Sequence, residues 1–173
     1  MSGQPVVVIL QRPSSRHETA FLGAVRRSRA LHRGLVSPPS DSAAFQEYRK
    51  SLRASNRLGF LVTVEETSEL VGVINVNEIV RGLFQSAYLG YYAFIPHAGK
   101  GFMWQGMQKV IKHCFLEQRL HRLEANIQPE NRRSIELVRS LGFLQEGFSP
   151  RYLKVCGRWR DHERWAIRNE QWR

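Results

Sequence analysis

Residues Gly90–Met103 read GYYAFIPHAGKGFM, and the fold turns on this stretch. An aromatic strand enters a short loop with Gly99 and Gly101. The loop opens a helix whose apolar residues Met103, Met107, Val110, Ile111, Cys114 and Phe115 recur at three- and four-residue spacings. A helix start exposes unpaired backbone N–H groups and the positive end of the helix dipole, and so attracts anions. The glycines let a diphosphate approach without meeting a Cβ, and Lys100 adds a positive charge. The spacing is neither a dinucleotide fingerprint, which needs a glycine at Trp104, nor a Walker loop. Taken alone, it also suits a glycine-bearing turn that binds nothing.

Working outward toward the N-terminus, Val6–Gln11 reads as a strand ended by Arg12-Pro13. Phe21, Val25, Leu31 and Leu35 predict one amphipathic helix over 15–35, broken by Ser37-Pro38-Pro39-Ser40. Asp41 or Ser42 caps a second helix bearing Phe45, Tyr48 and Leu52. Phe60–Val64 and Leu70–Val80 form a hairpin around Glu65-Glu66-Thr67-Ser68, and Ala87–Phe94 is the next strand. Toward the C-terminus, Leu123–Ile127 is a strand. Asn131 caps a helix with Ile135, Val138 and Leu141 on its apolar face, closed by Gly142. Arg151–Val155 and Trp159–Arg168 flank a Cys156-Gly157 turn. The order β-α-α-β-β-β-α-β-α-β-β predicts one mixed α/β (α+β) domain over 1–173, built on a largely antiparallel sheet with flanking helices.

The 173 residues suffice for a core without metals or disulfides, and 42% hydrophobic with 24% charged residues excludes a disordered or fibrous chain. The early apolar run Val6–Leu10 is too short for a membrane span or signal core. Two cysteines, Cys114 and Cys156, imply no disulfide framework and suit a reducing cytoplasm. Net charge is +11, from 26 basic and 15 acidic residues. Residues 12–57 carry 10 basic and 3 acidic groups (+7), 58–98 carry 1 and 4 (−3), and 99–173 carry 15 and 8 (+7). Such a field favours polyanions and acidic surfaces, and also suits a merely arginine-rich proteome.

About thirty residues beyond the glycine loop comes Asn131-Arg132-Arg133-Ser134, then Leu141-Gly142-Phe143 and Glu146-Gly147. The pairing of GKG at one helix start with N-x-x-S…LGF…EG at the next resembles the GNAT superfamily of acyl-CoA-dependent N-acyltransferases. The resemblance is closer to Rim-type ribosomal-protein N-terminal acetyltransferases of the alanine-directed type. Gly72–Val80, Arg81-Gly82, Tyr88–Tyr91, Leu123–Asn131 and the tail from Tyr152 to His162 share it, so it covers roughly 58–165.

The resemblance implies splayed central strands with acetyl-CoA, the acyl donor, lying between them. The pantetheine arm would pair along Tyr92-Ala93-Phe94, and the pyrophosphate would sit on the N–H groups of Ala98, Gly99, Lys100, Gly101, Phe102 and Met103. Ala98 departs from the Q/R of the family pattern and Met103 from a small residue, so fewer side-chain contacts are expected. Asn131 matches the asparagine that steadies the pantetheine, a role compatible with capping. Ser134 matches a serine near the cofactor sulfur and is expected to protonate the leaving thiolate; it also suits a plain first-turn residue. The tyrosine many members place on this helix is replaced by Val138.

Amide formation needs an amine that loses a proton, an oxyanion donor and a proton for the thiolate. Backbone N–H groups near Ala93 suit the oxyanion. Glu124, on one strand face with Asn126, is the candidate base, alongside a purely structural ion pair to Arg122 or His121; His97 and His162 are further candidates. Asp161-His162-Glu163 alternate across a strand and do not converge, so no metal is expected. The acceptor is read as a protein N-terminus, with a small amine (amino acid, polyamine or antibiotic) as one alternative and a non-catalytic RNA- or ribosome-binding module as another. Ribosome association would follow from the basic rims, as monomer or homodimer, in the cytoplasm and without a membrane partner.

Overall fold

The computed structural model describes residues 6–171. The strands are β1 (Val8–Gln11), β2 (Leu58–Val64), β3 (Leu70–Val80), β4 (Ser86–Ala93), β5 (Arg122–Ile127), β6 (Leu144–Val155) and β7 (Arg158–Arg168). The helices are α1 (Glu18–Arg27), α2 (Arg29–His32), α3 (Ser42–Ser51), α4 (Phe102–Lys112) and α5 (Arg132–Ser140). The seven strands form one sheet in the order β1-β2-β3-β4-β5-β7-β6. Every pairing is antiparallel except β4 with β5. The mixed, largely antiparallel sheet with flanking helices expected from the sequence is what the chain adopts.

Alternation along the strands divides the core. One layer holds Met107, Val110 and Ile111 of α4 with Ile135 and Val138 of α5 against Ile74, Leu123 and Ile127. The other packs Phe21 and Val25 of α1 and Phe45 of α3 against Leu61, Val73 and Phe94. Each buried side chain of this size contributes about 1.5–3 kcal/mol. Helix α4 lies so close to the sheet that a Cβ on Gly106 would stand 2.8 Å from Val62 Cγ2. That approach holds the start of α4 beside the end of β4.

Two expectations are corrected. The single helix over 15–35 is broken at Ser28, which is fully buried between α1 and α2. Its Oγ accepts the Ile95 N–H at 3.0 Å, which ties the break to the chain just after β4. The break turns Leu31 and Leu35 away from the α1 stripe and into the cleft wall described below. The strand expected at Arg151–Val155 begins at Leu144 and includes Gly147 and Pro150. Strand β6 is the sheet edge, with register shifts between Gln145 and Gly147 and between Ser149 and Leu153. An edge needs no ladder donor on its outer side and tolerates proline and bulges.

Candidate active site

Strands β4 and β5 are paired only at Ser86, Ala87 and Tyr88, opposite Arg122, Leu123 and Glu124. Beyond Tyr88 they diverge, and a cleft of about 990 Å³ opens among β4, the loop into α4, α2 and the start of α5. Its walls include Tyr91, Tyr92, Ala93, Ala98, Gly99, Gly101, Met103, Asn131 and Ser134. Apart from Glu124 and His162, the site residues expected from sequence all belong to the end of β4, the chain into α4 or the start of α5. The tertiary fold gathers these three segments around one opening.

The free edge of β4 offers hydrogen bonds to a bound arm. Phe94 N–H donates to Val71 O at 2.7 Å, toward β3. Directions alternate along an antiparallel strand, so Ala93 N–H points the other way, into the cleft. The Ala93 carbonyl accepts from His32 Nε2 at 2.8 Å. Burial lowers the His32 pKa, outweighing the bond to Ala93 that raises it, so the ring is neutral near pH 7 and Nε2 carries its proton. His32 is 5% exposed and packs edge-on against Tyr92 at 5.4 Å. Nothing in the periodicity of 15–35 marked it; the break at Ser28 aims it.

At the α4 start, Gly101 caps the helix with φ +80 and has nothing within 4 Å of where a Cβ would stand. Ala98 N–H is already bonded to Phe94 O at 2.9 Å, which removes it from the donors expected for an anion. Those of Gly101, Phe102 and Met103 form the open end of the helix. Helix α5, by contrast, starts with a side-chain cap: Asn131 Oδ1 accepts Ser134 N–H at 3.3 Å. An open strand edge leading to an open helix N-terminus suits a long arm ending in a diphosphate, and the residues present fit acetyl-CoA.

Ser134 Oγ lies 2.6 Å from the hydroxyl of Tyr91. Burial pushes the Tyr91 pKa well above its ordinary value, so this phenol stays protonated. Val138 is fully buried core and brings no hydroxyl to the cleft, whereas the Tyr91 hydroxyl on β4 lies beside Ser134. Sequence reasoning named Tyr91 only within an aromatic strand. The signal was its alternation with Leu89 and Ala93, which puts it on the α5 side of the sheet.

Glu124 is placed elsewhere. Its Oε1 lies 3.0 Å from Arg122 Nε, and the same guanidinium donates to Glu146 Oε1 at 2.9 Å. Arg122 holds the Glu146 carboxyl below its ordinary pKa. Glu124 is absent from the cleft wall, and the structural ion pair to Arg122 is the arrangement adopted. His97 Nε2 lies 3.1 Å from Glu69 Oε2, and His162 Nδ1 lies 2.9 Å from Arg160 O. Burial pushes the Cys114 thiol up to about 12, whereas Cys156 is exposed. Among the described residues, no three His, Cys, Asp or Glu side chains are placed to share a metal ion, and no helix is long and apolar enough to cross a membrane.

Residues 8–144 match the acetyltransferase (GNAT) domain family, most of the chain. The chain belongs to the GNAT acetyltransferase family. This GNAT domain is 33% identical over 123 residues to the probable N-acetyltransferase YjcK of Bacillus subtilis, covering 71% of the chain and 68% of that relative. It is 38% identical over 107 residues to the [ribosomal protein uS5]-alanine N-acetyltransferase of Escherichia coli, covering 62% of the chain. That match spans only 55% of the Escherichia coli protein. Among solved structures it superposes on Mycobacterium smegmatis RimJ in complex with CoA-disulfide with a TM-score of 0.87 at 28% identity, over 95% of this chain and 83% of that one. The splayed β4–β5 pair, expected from resemblance, is thus a feature of a GNAT domain whose acyl donor is acetyl-CoA.

Proposed function

We propose that the chain transfers the acetyl group of acetyl-CoA to the N-terminal α-amine of a protein, with a ribosomal protein beginning in Ala or Ser as the acceptor class. One observation carries the choice of acceptor. The sheet face that bears Glu124 is basic: alternation along β7 puts Arg160, His162, Arg164 and Arg168 on that face, with Arg164 opposite Asn126 and Arg168 opposite Arg122. Glu124 is already neutralised by Arg122. A polyamine brings several ammonium groups and would be repelled there, whereas a peptide N-terminus brings one. The similarity to an alanine-directed N-acetyltransferase supports the same reading.

The chemistry assigned to each residue follows from its position. An α-amine has an ordinary pKa of about 8, against about 10.4 for a lysine-type amine. About a quarter of it is therefore already neutral near pH 7.5, and water can take the proton of the rest without a strong base. As the nitrogen lone pair attacks the thioester carbonyl carbon, Ala93 N–H receives the charge growing on the carbonyl oxygen. As the carbon–sulfur bond breaks, the attacking nitrogen loses its extra proton to water, and Ser134 O–H gives its proton to the sulfur and regains one from water, with Tyr91 O–H donating to Ser134 Oγ. Asn131 steadies the arm, and the N–H groups from Gly101 to Met103 with Lys100 hold the diphosphate. Free Cys114 and Cys156 suit action in a reducing cytoplasm.

The test is acetyl-CoA consumption measured side by side with Ala- and Ser-initiated peptides, spermidine and free amino acids. Transfer to the peptides at both about 50 and about 200 mM salt is expected, because a short peptide makes few ionic contacts. Consumption with spermidine alone would overturn the acceptor assignment.

A further inference from the structure

A second concavity lies away from the cleft and shares no residue with it. It has a volume of about 570 Å³, within the range of about 300–1,000 Å³ typical of ligand pockets. It is formed where the chain leaves β1, crosses α3 and enters β2, and its walls bring together Arg12, Arg49, Lys50 and Arg53. Glu47 is the one carboxylate among its lining residues, and it sits 3.7 Å from Lys50 with both side chains largely exposed. An ion pair of that kind holds little energy, about 0–1 kcal/mol. The pocket therefore gathers four cations and offsets about one.

The arginines are not simply spread into solvent. Arg12 is fixed: its Cζ lies 4.4 Å from the Phe60 ring centroid, and one guanidinium nitrogen donates to Gly59 O at 3.4 Å. Arg49 Nε is buried and has no hydrogen-bond partner among the described residues. Arg49 lies in the last turn of α3, and Arg53 follows in the turn just past its end, where Arg53 N–H donates to Lys50 O at 3.1 Å.

We propose that this pocket binds the phosphate backbone of an RNA strand. Three of its four cations are arginines, whose planar donor forks match phosphate oxygens in a way a lysine ammonium does not. Arg49 and Arg53, on either side of the end of α3, line the pocket together with Arg12 and so offer donor forks to more than one phosphate. The one aromatic ring at its edge, Phe60, is covered by Arg12 and offers no face for a base to stack on. Recognition is therefore of backbone charge and is independent of sequence. The site lies on the opposite side of β2 and β3 from β5, so RNA held there leaves the acyl cleft open. Nothing in this inference depends on the acceptor assigned above.

The experiment is fluorescence anisotropy with a labelled single-stranded RNA 20-mer, over about 50–200 mM salt. It compares the full chain, the pocket variant Arg49→Gln/Arg53→Gln, and the charge-matched variant Lys109→Gln/Lys112→Gln, whose lysines are exposed on α4. On a single strand, two phosphates no longer neutralised should reduce the salt slope by about 1.4. The pocket variant is expected to show that fall with at least about a tenfold loss of affinity, and the α4 variant a loss under about threefold. Equal losses in both variants would show that RNA senses only the +11 net charge, and would overturn the proposal. So would displacement of the RNA by a polyglutamate peptide as readily as by unlabelled RNA, or by millimolar inorganic phosphate alone. Acetyl transfer to a short peptide should be unchanged in the pocket variant, which separates this test from that of the cleft.

Discussion

The hydroxyls of Tyr91 and Ser134 lie 2.6 Å apart, although 43 residues separate them in the chain. Tyr91 comes from β4 and Ser134 from the first turn of α5, the two elements on either side of the cleft. Burial keeps the phenol protonated and so able to donate. With Tyr91 donating, the serine proton is left free for the cleft, where a leaving sulfur would need it.

Ser134→Ala is expected to lower kcat by about 10- to 1000-fold while CoA affinity, measured by calorimetry, changes little. The same substitution leaves the Tyr91 hydroxyl only the longer bond to the residue-134 carbonyl, 3.5 Å in the wild type, and should cost about 0.5–1.5 kcal/mol in urea unfolding. Adding Tyr91→Phe should recover part of that stability but none of the rate. Full activity in Ser134→Ala would remove Ser134 from the chemistry.

Gly101→Val should weaken CoA binding by at least about tenfold, because a β-branched side chain is strained at φ +80 and crowds the diphosphate position. Gly101→Ala should show a smaller loss in the same titration. Unchanged affinity in the valine variant would move the diphosphate away from the start of α4.

Glu124→Gln should leave the acid limb of the pH–rate profile where it is, since its carboxylate is held by Arg122 and lies outside the cleft wall. A limb that flattens or moves on this substitution would return Glu124 to the role of base.

Acidification should destabilise the chain through His32. Its folded pKa is below the ordinary 6.5, so the unfolded state binds the proton first. Its contribution is fully present above about pH 6.5 and falls as the pH drops from there toward the lowered folded value. Glu146, with a carboxyl held below 4.5, stays charged throughout that window. Thermal melts at pH 7 and 5 should show a larger drop in Tm for the wild type than for His32→Gln. His17, whose pKa is also lowered, should account for the drop that remains.

The sequence by itself determined the elements whose signals are local. Strand β3 was read with its observed bounds, and the caps at Asp41 and Asn131 are made by their own side chains, Asp41 Oδ1 accepting Ala44 N–H at 2.8 Å. The glycine loop before α4 was legible because helix starts and apolar periodicity depend on neighbours within one or two turns, whereas the serine on α5 was marked only by the resemblance to Rim-type enzymes. The tertiary structure alone decided which chemical groups meet. Ser28 broke a continuous apolar stripe because a buried hydroxyl found the Ile95 N–H, and that break brought His32 to Ala93. Arg122 contacts Glu124 beside it on β5 while also reaching Glu146 on β6. Tyr91 reached Ser134 because β4 and β5 part after Tyr88 and α5 packs against that side of the sheet. Each of these contacts joins residues whose separation in the chain bears no relation to their separation in space, and no periodicity of 2 or 3.6 encodes such a distance.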